Sequence, residues 1–171
     1  MKKITLLIAV LSLTFLLSSC GYHNPNIYDG PSKKIYVKNW KNRSSKLSLN
    51  SDIYRSLNLW FQKSASITLV KSVDDADFIL AGEVISLSLP SLSYTGDTTS
   101  EVRVHLQVRY VMKDLATGKI FFETPRETWT EEYTTSSSSS DSSKENEAIE
   151  EIVDDLSKNI YQKTLSKLRA L

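Results

Sequence analysis

Few residues in this chain are of a type that does covalent chemistry, and their spacing limits what that chemistry is. The 171-residue sequence holds one cysteine, Cys20, and two histidines, His23 and His105. A hydrolase needs a nucleophile held against a base, and no G-x-S-x-G, H-E-x-x-H or phosphate-cradling P-loop supplies one. What remains for catalysis is His105 or a carboxylate pair, since His23 falls in a turn-rich N-terminal stretch. Asp74, Asp75 and Asp77 suggest the start of a calcium loop, but the rest of the D-x-[DN]-x-[DN]-G-x5-E pattern does not follow. An acidic turn before a strand accounts for them, so no metal is expected. With a single thiol, no disulfide forms within the chain and metal sites built on thiolates are excluded. The chemistry open to these residues is therefore modification and binding, and no catalytic residue is assigned.

Cys20 is the candidate for modification. Lys2 and Lys3 make a short positive start, and Ile4 to Leu17 make an apolar run shorter than the ~20 residues of a spanning helix. The run ends in Leu17-Ser18-Ser19-Cys20, where an ordinary secretory signal would show an A-x-A-like cut. This order resembles the bacterial lipobox. The resemblance implies removal of residues 1–19, a diacylglycerol thioether on the Cys20 thiol and an acyl group on its freed amine. Two or more chains give stable anchoring to a membrane. Gly21 stands where an aspartate would resemble an inner-membrane retention signal, so the expected location is the periplasmic face of the outer membrane. The covalent lipid is the one non-protein group expected, with no other cofactor.

Binding by bulk charge is excluded. Removing Lys2 and Lys3 from the 21 basic residues leaves nineteen against 20 acidic ones, which argues against nucleic acid as a partner. Any charge-driven contact must be local, and four cations stand close in the sequence: Arg103, Arg109, Lys113 and Arg126. Arg103 and Arg109 belong to the cleanest pattern in the chain. From Glu101 to Met112, the residues Val102, Val104, Leu106, Val108, Tyr110 and Met112 alternate with polar ones, which predicts a strand with one core face and one wet face. A polar face of this kind is ordinarily a solvated surface; the functional reading makes it a docking face.

The elements that position this strand follow from the period of the apolar residues. Residues 20–32, rich in turn formers, read as a lipidated tether, and a single domain of residues 33–171 follows. Lys33 to Asn39 (KKIYVKN) reads as a strand, and Ile53, Leu57, Trp60 and Phe61 form a helix capped by Asn50 or Ser51. Ile67 to Val73 and Phe78 to Leu89 read as strands, and Gly82 in the second suggests a bulge near Gly82 to Glu83 or a close crossing. Pro90 to Ser100 reads as a loop, Asp114 to Lys119 as a hairpin loop, and Ile120 to Thr130 as a returning strand that Pro125 confines to an edge or a bend. Thr134 to Ser143 reads as a Ser-rich mobile loop. Ala148, Ile149, Ile152, Val153, Leu156, Ile160, Leu165 and Leu168 then define a long C-terminal helix. Trp40, Trp60 and Trp129 read as packing aromatics and not as a sugar platform. The sum is an α+β fold: an antiparallel or mixed four- to five-stranded sheet, with neighbouring segments expected antiparallel, packed on one face by two α-helices.

Several of these features occur together in one known family. The lipobox, Gly21-Tyr22 at the mature start, the strand-helix entry, the segment Ala76-Asp77-Phe78-Ile79-Leu80-Ala81-Gly82-Glu83-Val84 and the final long helix resemble LptE, the lipopolysaccharide-assembly lipoprotein family. The resemblance implies a non-enzymatic protein that sits as a plug inside a large outer-membrane β-barrel, LptD, helps it assemble, and assists delivery of lipopolysaccharide to the cell surface. It further implies that the loop beginning at Pro90 meets the barrel wall, with Pro90, Leu92 and Tyr94 as contact candidates. Anionic lipopolysaccharide would call for cations, and Arg103, Arg109, Lys113 and Arg126 are nominated by their chemistry and not by a motif. The alternative reading is an outer-membrane lipoprotein that activates a cell-wall synthase or pilots another envelope machine.

Overall fold

The computed structural model describes residues 26–95, 98–135 and 141–171, with the backbone alone at 91–95, 98–100 and 141. Cys20 and the signal segment lie outside the described residues. The elements are β1 (Lys33–Val37), β2 (Lys41–Asn42), α1 (Leu49–Phe61), β3 (Ile67–Val70), a 3-10 turn (Val73–Asp75), β4 (Phe78–Ser88), β5 (Ser91–Thr95), β6 (Thr98–Asp114), β7 (Ile120–Thr134) and α2 (Asp141–Leu168). They form the expected α+β fold, and its sheet is mixed.

The strands lie side by side in the order β3-β1-β4-β6-β7. Because β7 pairs with β6 along 101–113, β4 and β5 must share the other edge of β6, where β5 prolongs β4. In the same way β2 prolongs β1 along β4. The pairings β1 with β3 and β1 with β4 are parallel, which corrects the expectation of antiparallel neighbours in this half. For β3 the physical reason is α1, since a helix between two strands returns the chain to the same end of the sheet; residues 71–77, with the 3-10 turn, make a second, shorter return before β4.

Both helices cover one face. Leu49, Ile53, Leu57 and Phe61 of α1 and Ile149, Ile152, Leu156, Ile160 and Leu165 of α2 meet Ile35, Leu80, Val84, Val104, Leu106, Val108 and Met112 in one buried cluster. Each large side chain so buried contributes about 1.5–3 kcal/mol relative to exposure. Tyr161 seals the helix pair, its ring edge-on to Phe61 at 5.8 Å. Among the described residues no helix is long and apolar enough to cross a membrane.

Five local expectations change. The folded body starts before Lys33: Tyr28 is 3% exposed, and a chain of hydrogen bonds ties its segment to the core. The Tyr28 amide donates to Ser64 Oγ (2.7 Å), Ser64 and Tyr161 share a bond of 2.7 Å, and the Tyr161 hydroxyl donates to the Asn26 carbonyl (2.6 Å). A buried hydroxyl needs such partners, and here it finds them in the segment read as tether. Second, α1 begins at Leu49 behind Ser48, so neither Asn50 nor Ser51 caps it. Third, most of the expected Pro90 to Ser100 loop is paired backbone, β5 with the start of β6; short Ser/Thr alternation carries too little apolar signal to reveal this. Fourth, Asp141, Ser142 and Ser143 form the first turn of α2 and do not belong to the Ser-rich stretch, whose residues 136–140 lie outside the described residues. Fifth, the bulge in β4 falls between Val84 and Ser86, so that Ile85 is the inserted residue. Gly82 serves the close crossing instead, because a Cβ there would fall on the indole of Trp40, not on a helix.

The hairpin after β6 follows the sequence closely. Asp114 Oδ1 accepts the amides of Ala116 (2.8 Å) and Thr117 (3.0 Å), and Gly118 takes the positive φ of 69° that closes the turn. The Thr117 amide bond, against some burial, holds the Asp114 carboxyl below its ordinary range. Pro125 lies on β7, an edge strand, where the register with β6 shifts between Val108 and Tyr110. An edge position leaves its missing amide without consequence.

Candidate functional site

The face of the sheet opposite the helices carries the charged residues. In β6, register puts Lys113 beside Ile79, Val111 beside Ala81, Arg109 beside Glu83 and Gln107 beside Ser86. On its other side Arg103 meets Glu132, His105 meets Thr130 and Val111 meets Glu123. Three of the four nominated cations, Arg103, Arg109 and Lys113, therefore share this face by the two-residue period of a strand. Arg126 joins them from the irregular part of β7.

Their partners differ, and the partners decide what each is free to do. Arg103 donates from Nε to Glu132 Oε1 at 2.7 Å, a half-exposed cross-strand pair worth under about 1 kcal/mol. Arg109 donates from Nε to Glu83 Oε2 at 2.6 Å. Glu83 is also bonded by Arg43 Nε, a residue that sequence reasoning left out. The Glu83 side chain is 7% exposed, whereas those of Arg43 and Arg109 are 65% and 55% exposed. One carboxylate thus lies beneath two guanidinium groups. The hydrogen bond from Arg109, opposed by burial and helped by Arg43, holds the Glu83 carboxyl below its ordinary range, so the brace stays ionised at neutral pH.

A recess of about 190 Å³ lies here, lined by Arg43, Glu83, Ile85, Arg109, Pro125 and Arg126. It neighbours a groove of about 320 Å³ whose walls include Lys38, Lys41, Tyr110 and Glu123. Arg43 and Lys41 were missed because the stretch after β1 has no apolar period. The short pairing of Lys41 with Glu83 and Asn42 with Val84, 42 positions on, is what carries them over the sheet.

A second polar cluster sits at the covered face. Lys163 Nζ donates to Tyr110 Oη (2.6 Å) and Glu127 Oε1 (3.3 Å), and Tyr110 donates to Glu127 Oε2 (2.7 Å). Burial raises the Tyr110 pKa despite the bond from Lys163. Burial lowers that of Lys163, but the Tyr110 bond and the Glu127 charge outweigh it and the net direction is upward. Each group satisfies another, so the cluster ties α2 to β6 and β7.

Of the contact candidates, Pro90 is exposed between β4 and β5, and its carbonyl accepts the Arg103 amide at 3.1 Å. The side chains of Leu92 and Tyr94 lie outside the described residues. The three tryptophans are packing residues: Trp40 is 3% exposed and stacks on Tyr110, Trp129 is half-buried, and Trp60 donates to Asp154 Oδ1 at 2.7 Å, linking the helices.

The two-helix α+β body thus leaves one sheet face open, with Arg43, Arg103, Arg109, Lys113 and Arg126 on it. The chain belongs to the LptE family, whose model, described as lipopolysaccharide-assembly, matches residues 32–164. Membership places it among the outer-membrane-associated lipoproteins of lipopolysaccharide assembly. Three solved structures are similar in fold. A Xanthomonas campestris protein has a TM-score of 0.56 at 12% identity, covering 84% of this chain and 97% of that one. The uncharacterised lipoprotein B of Nitrosomonas europaea has a TM-score of 0.56 at 12% identity, covering 81% and 84%. The rare lipoprotein B of Shewanella oneidensis has a TM-score of 0.51 at 17% identity, covering 78% and 94%. No curated protein matches the chain in sequence.

Proposed function

We propose that this protein, lipidated on Cys20 and held at the periplasmic face of the outer membrane, is the plug and assembly partner of the lipopolysaccharide-translocating barrel, LptD. The observation that carries the reading is the family match over residues 32–164. The surface is consistent with it: a barrel lumen is polar and water-lined, and a rigid body with one charged sheet face suits that lining better than an apolar one. Pro90, Leu92 and Tyr94 are the proposed contacts with the barrel wall. Lys113, Arg109 and Arg126 are the proposed contacts with lipopolysaccharide. Arg103 joins them through a bond to Glu132 exposed enough to exchange for a phosphate.

The test is a crosslinking pull-down from native outer membranes with the mature lipoprotein as bait. Recovery of the barrel in a one-to-one ratio is expected. Recovery of a cell-wall synthase, or of no barrel, overturns the reading and favours an activator of wall synthesis.

A further inference from the structure

We infer that Arg43, Arg109 and Arg126, braced from beneath by Glu83, form a binding site for the phosphate of a phosphorylated sugar on the open face of the sheet. The inference deepens the reading of that face given above and rests on it only for the source of the phosphate.

Three observations carry it. The first is the inverted burial of the ion pairs: the carboxylate is nearly sealed at 7% exposure while both arginines remain more than half exposed. Arg43 reaches Glu83 through Nε, which leaves its two Nη groups without an acceptor among the described residues. Arg109 spends Nε and one Nη, which leaves the other. Glu83 therefore fixes the guanidinium planes and does not use up their donors, and preorganised forks are what phosphate recognition needs. The second is charge. Arg126 is in no ion pair among the described residues, so three guanidinium groups against one carboxylate leave a surplus of two positive charges around the recess. A phosphomonoester above its second ionisation, near pH 6, carries the matching two negative charges. A planar carboxylate supplies one charge and two acceptors, and leaves part of this donor set unmatched. The third is shape. The recess of about 190 Å³ adjoins the larger groove, whose walls hold Lys38, Lys41 and Glu123. The Glu123 carboxylate accepts from hydroxyl groups, and the two lysines donate to them. The pair of cavities so takes a ligand with phosphate at one end and hydroxyls at the other.

The test uses the full lipidated chain in uncharged detergent, titrated with glucose 1-phosphate and followed by 31P NMR. Saturable binding is expected, with competition by inorganic phosphate and none by glucose or acetate at equal concentration. Arg43→Gln with Arg126→Gln removes two exposed donors and no core contact, and is expected to weaken binding by at least about tenfold. Arg55→Gln, an exposed cation of α1 on the helix-covered side of the sheet, leaves it unchanged. Unchanged affinity in the double variant to within about twofold, or no saturable 31P response in the parent, overturns the site. A second arm uses purified lipopolysaccharide with and without its phosphates. If the double variant and dephosphorylation each weaken lipopolysaccharide binding, the site takes the lipid's own phosphorylated sugar. If only sugar-phosphate binding is lost, the site takes a soluble sugar phosphate. If lipopolysaccharide binds while glucose 1-phosphate does not, the site fails and the proposed function stands.

Discussion

Replacing Gly82 by alanine tests why a glycine occupies the middle of a long strand. The added methyl would lie within 3.0 Å of three atoms of the Trp40 indole, Cε2, Cδ2 and Cζ2, closer than real Cβ atoms come. Trp40 has little room to retreat: it is 3% exposed, and it stacks on Tyr110 with centroids 6.1 Å apart and planes 26° from parallel. Two outcomes bracket the cost. If the ring shifts within the core, overpacking costs about 1–3 kcal/mol. If it is expelled, the loss approaches the about 3–5 kcal/mol of deleting a buried tryptophan. A loss of about 2 kcal/mol would lower the melting temperature by about 4–8 °C in a domain of this size. The assay is urea denaturation of the mature lipoprotein in uncharged detergent, run on Gly82→Ala, Trp40→Ala and the double variant. Trp40→Ala alone should cost about 3–5 kcal/mol, and adding Gly82→Ala to it under about 0.5, because the atom the methyl strikes is gone. A single Gly82→Ala variant within about 0.5 kcal/mol of the parent, or additive costs in the double variant, would refute the reasoning.

Other outcomes follow from the same contacts. Tyr161→Phe removes the hydroxyl between Ser64 and Asn26 and should cost about 1–3 kcal/mol, with faster hydrogen exchange at the Tyr28 amide; unchanged exchange would show that the N-terminal segment is held by something else. Glu83 has its pKa lowered by Arg109 and Arg43, so its contribution to stability is complete above the ordinary carboxylate range and is lost as pH falls through its folded value. The gap in urea midpoint between parent and Glu83→Gln should therefore narrow between about pH 5 and pH 3, and a constant gap would argue against the brace. Asp154→Ala leaves the Trp60 indole without its acceptor and should cost about 1 kcal/mol by thermal melting, a modest figure because the bond is exposed. Cys20→Ser should abolish incorporation of radiolabelled palmitate into the protein, since the thiol that would form the thioether is gone; retained label would refute the assignment.

How much was legible depended on how far apart in the chain the deciding contacts lie. The long C-terminal helix was legible because Ile149, Ile152, Leu156, Ile160 and Leu165 repeat at helical spacing, and each of them is buried in the structure. The alternation from Val102 to Met112 likewise showed which face of β6 is core. The cations of the open face were legible as charges on the correct face. Their freedom was not, because Glu83 and Glu132, which engage Arg109 and Arg103, lie 26 and 29 residues away. Arg43 carried no signal: β2 is two residues long, too short for any period, and exists only because β4 offers it an edge. Tyr28 looked like tether because its partners, Ser64 and the α2 residue Tyr161, come much later in the chain.

By itself, then, the sequence determined what can be written in short-range order: the apolar periods of α2 and β6, and the Asp114 to Gly118 turn. These depend on residues within one or two turns of each other, where backbone geometry dictates which side chains meet. The tertiary structure decided the parallel entry of β1 beside β3 and β4, the docking of Tyr28, the seating of Trp40 over Gly82, and the setting of Arg43 and Arg109 on one sealed carboxylate. Those contacts join segments tens of residues apart, and their partners are chosen by the closing of one common core and not by any local preference.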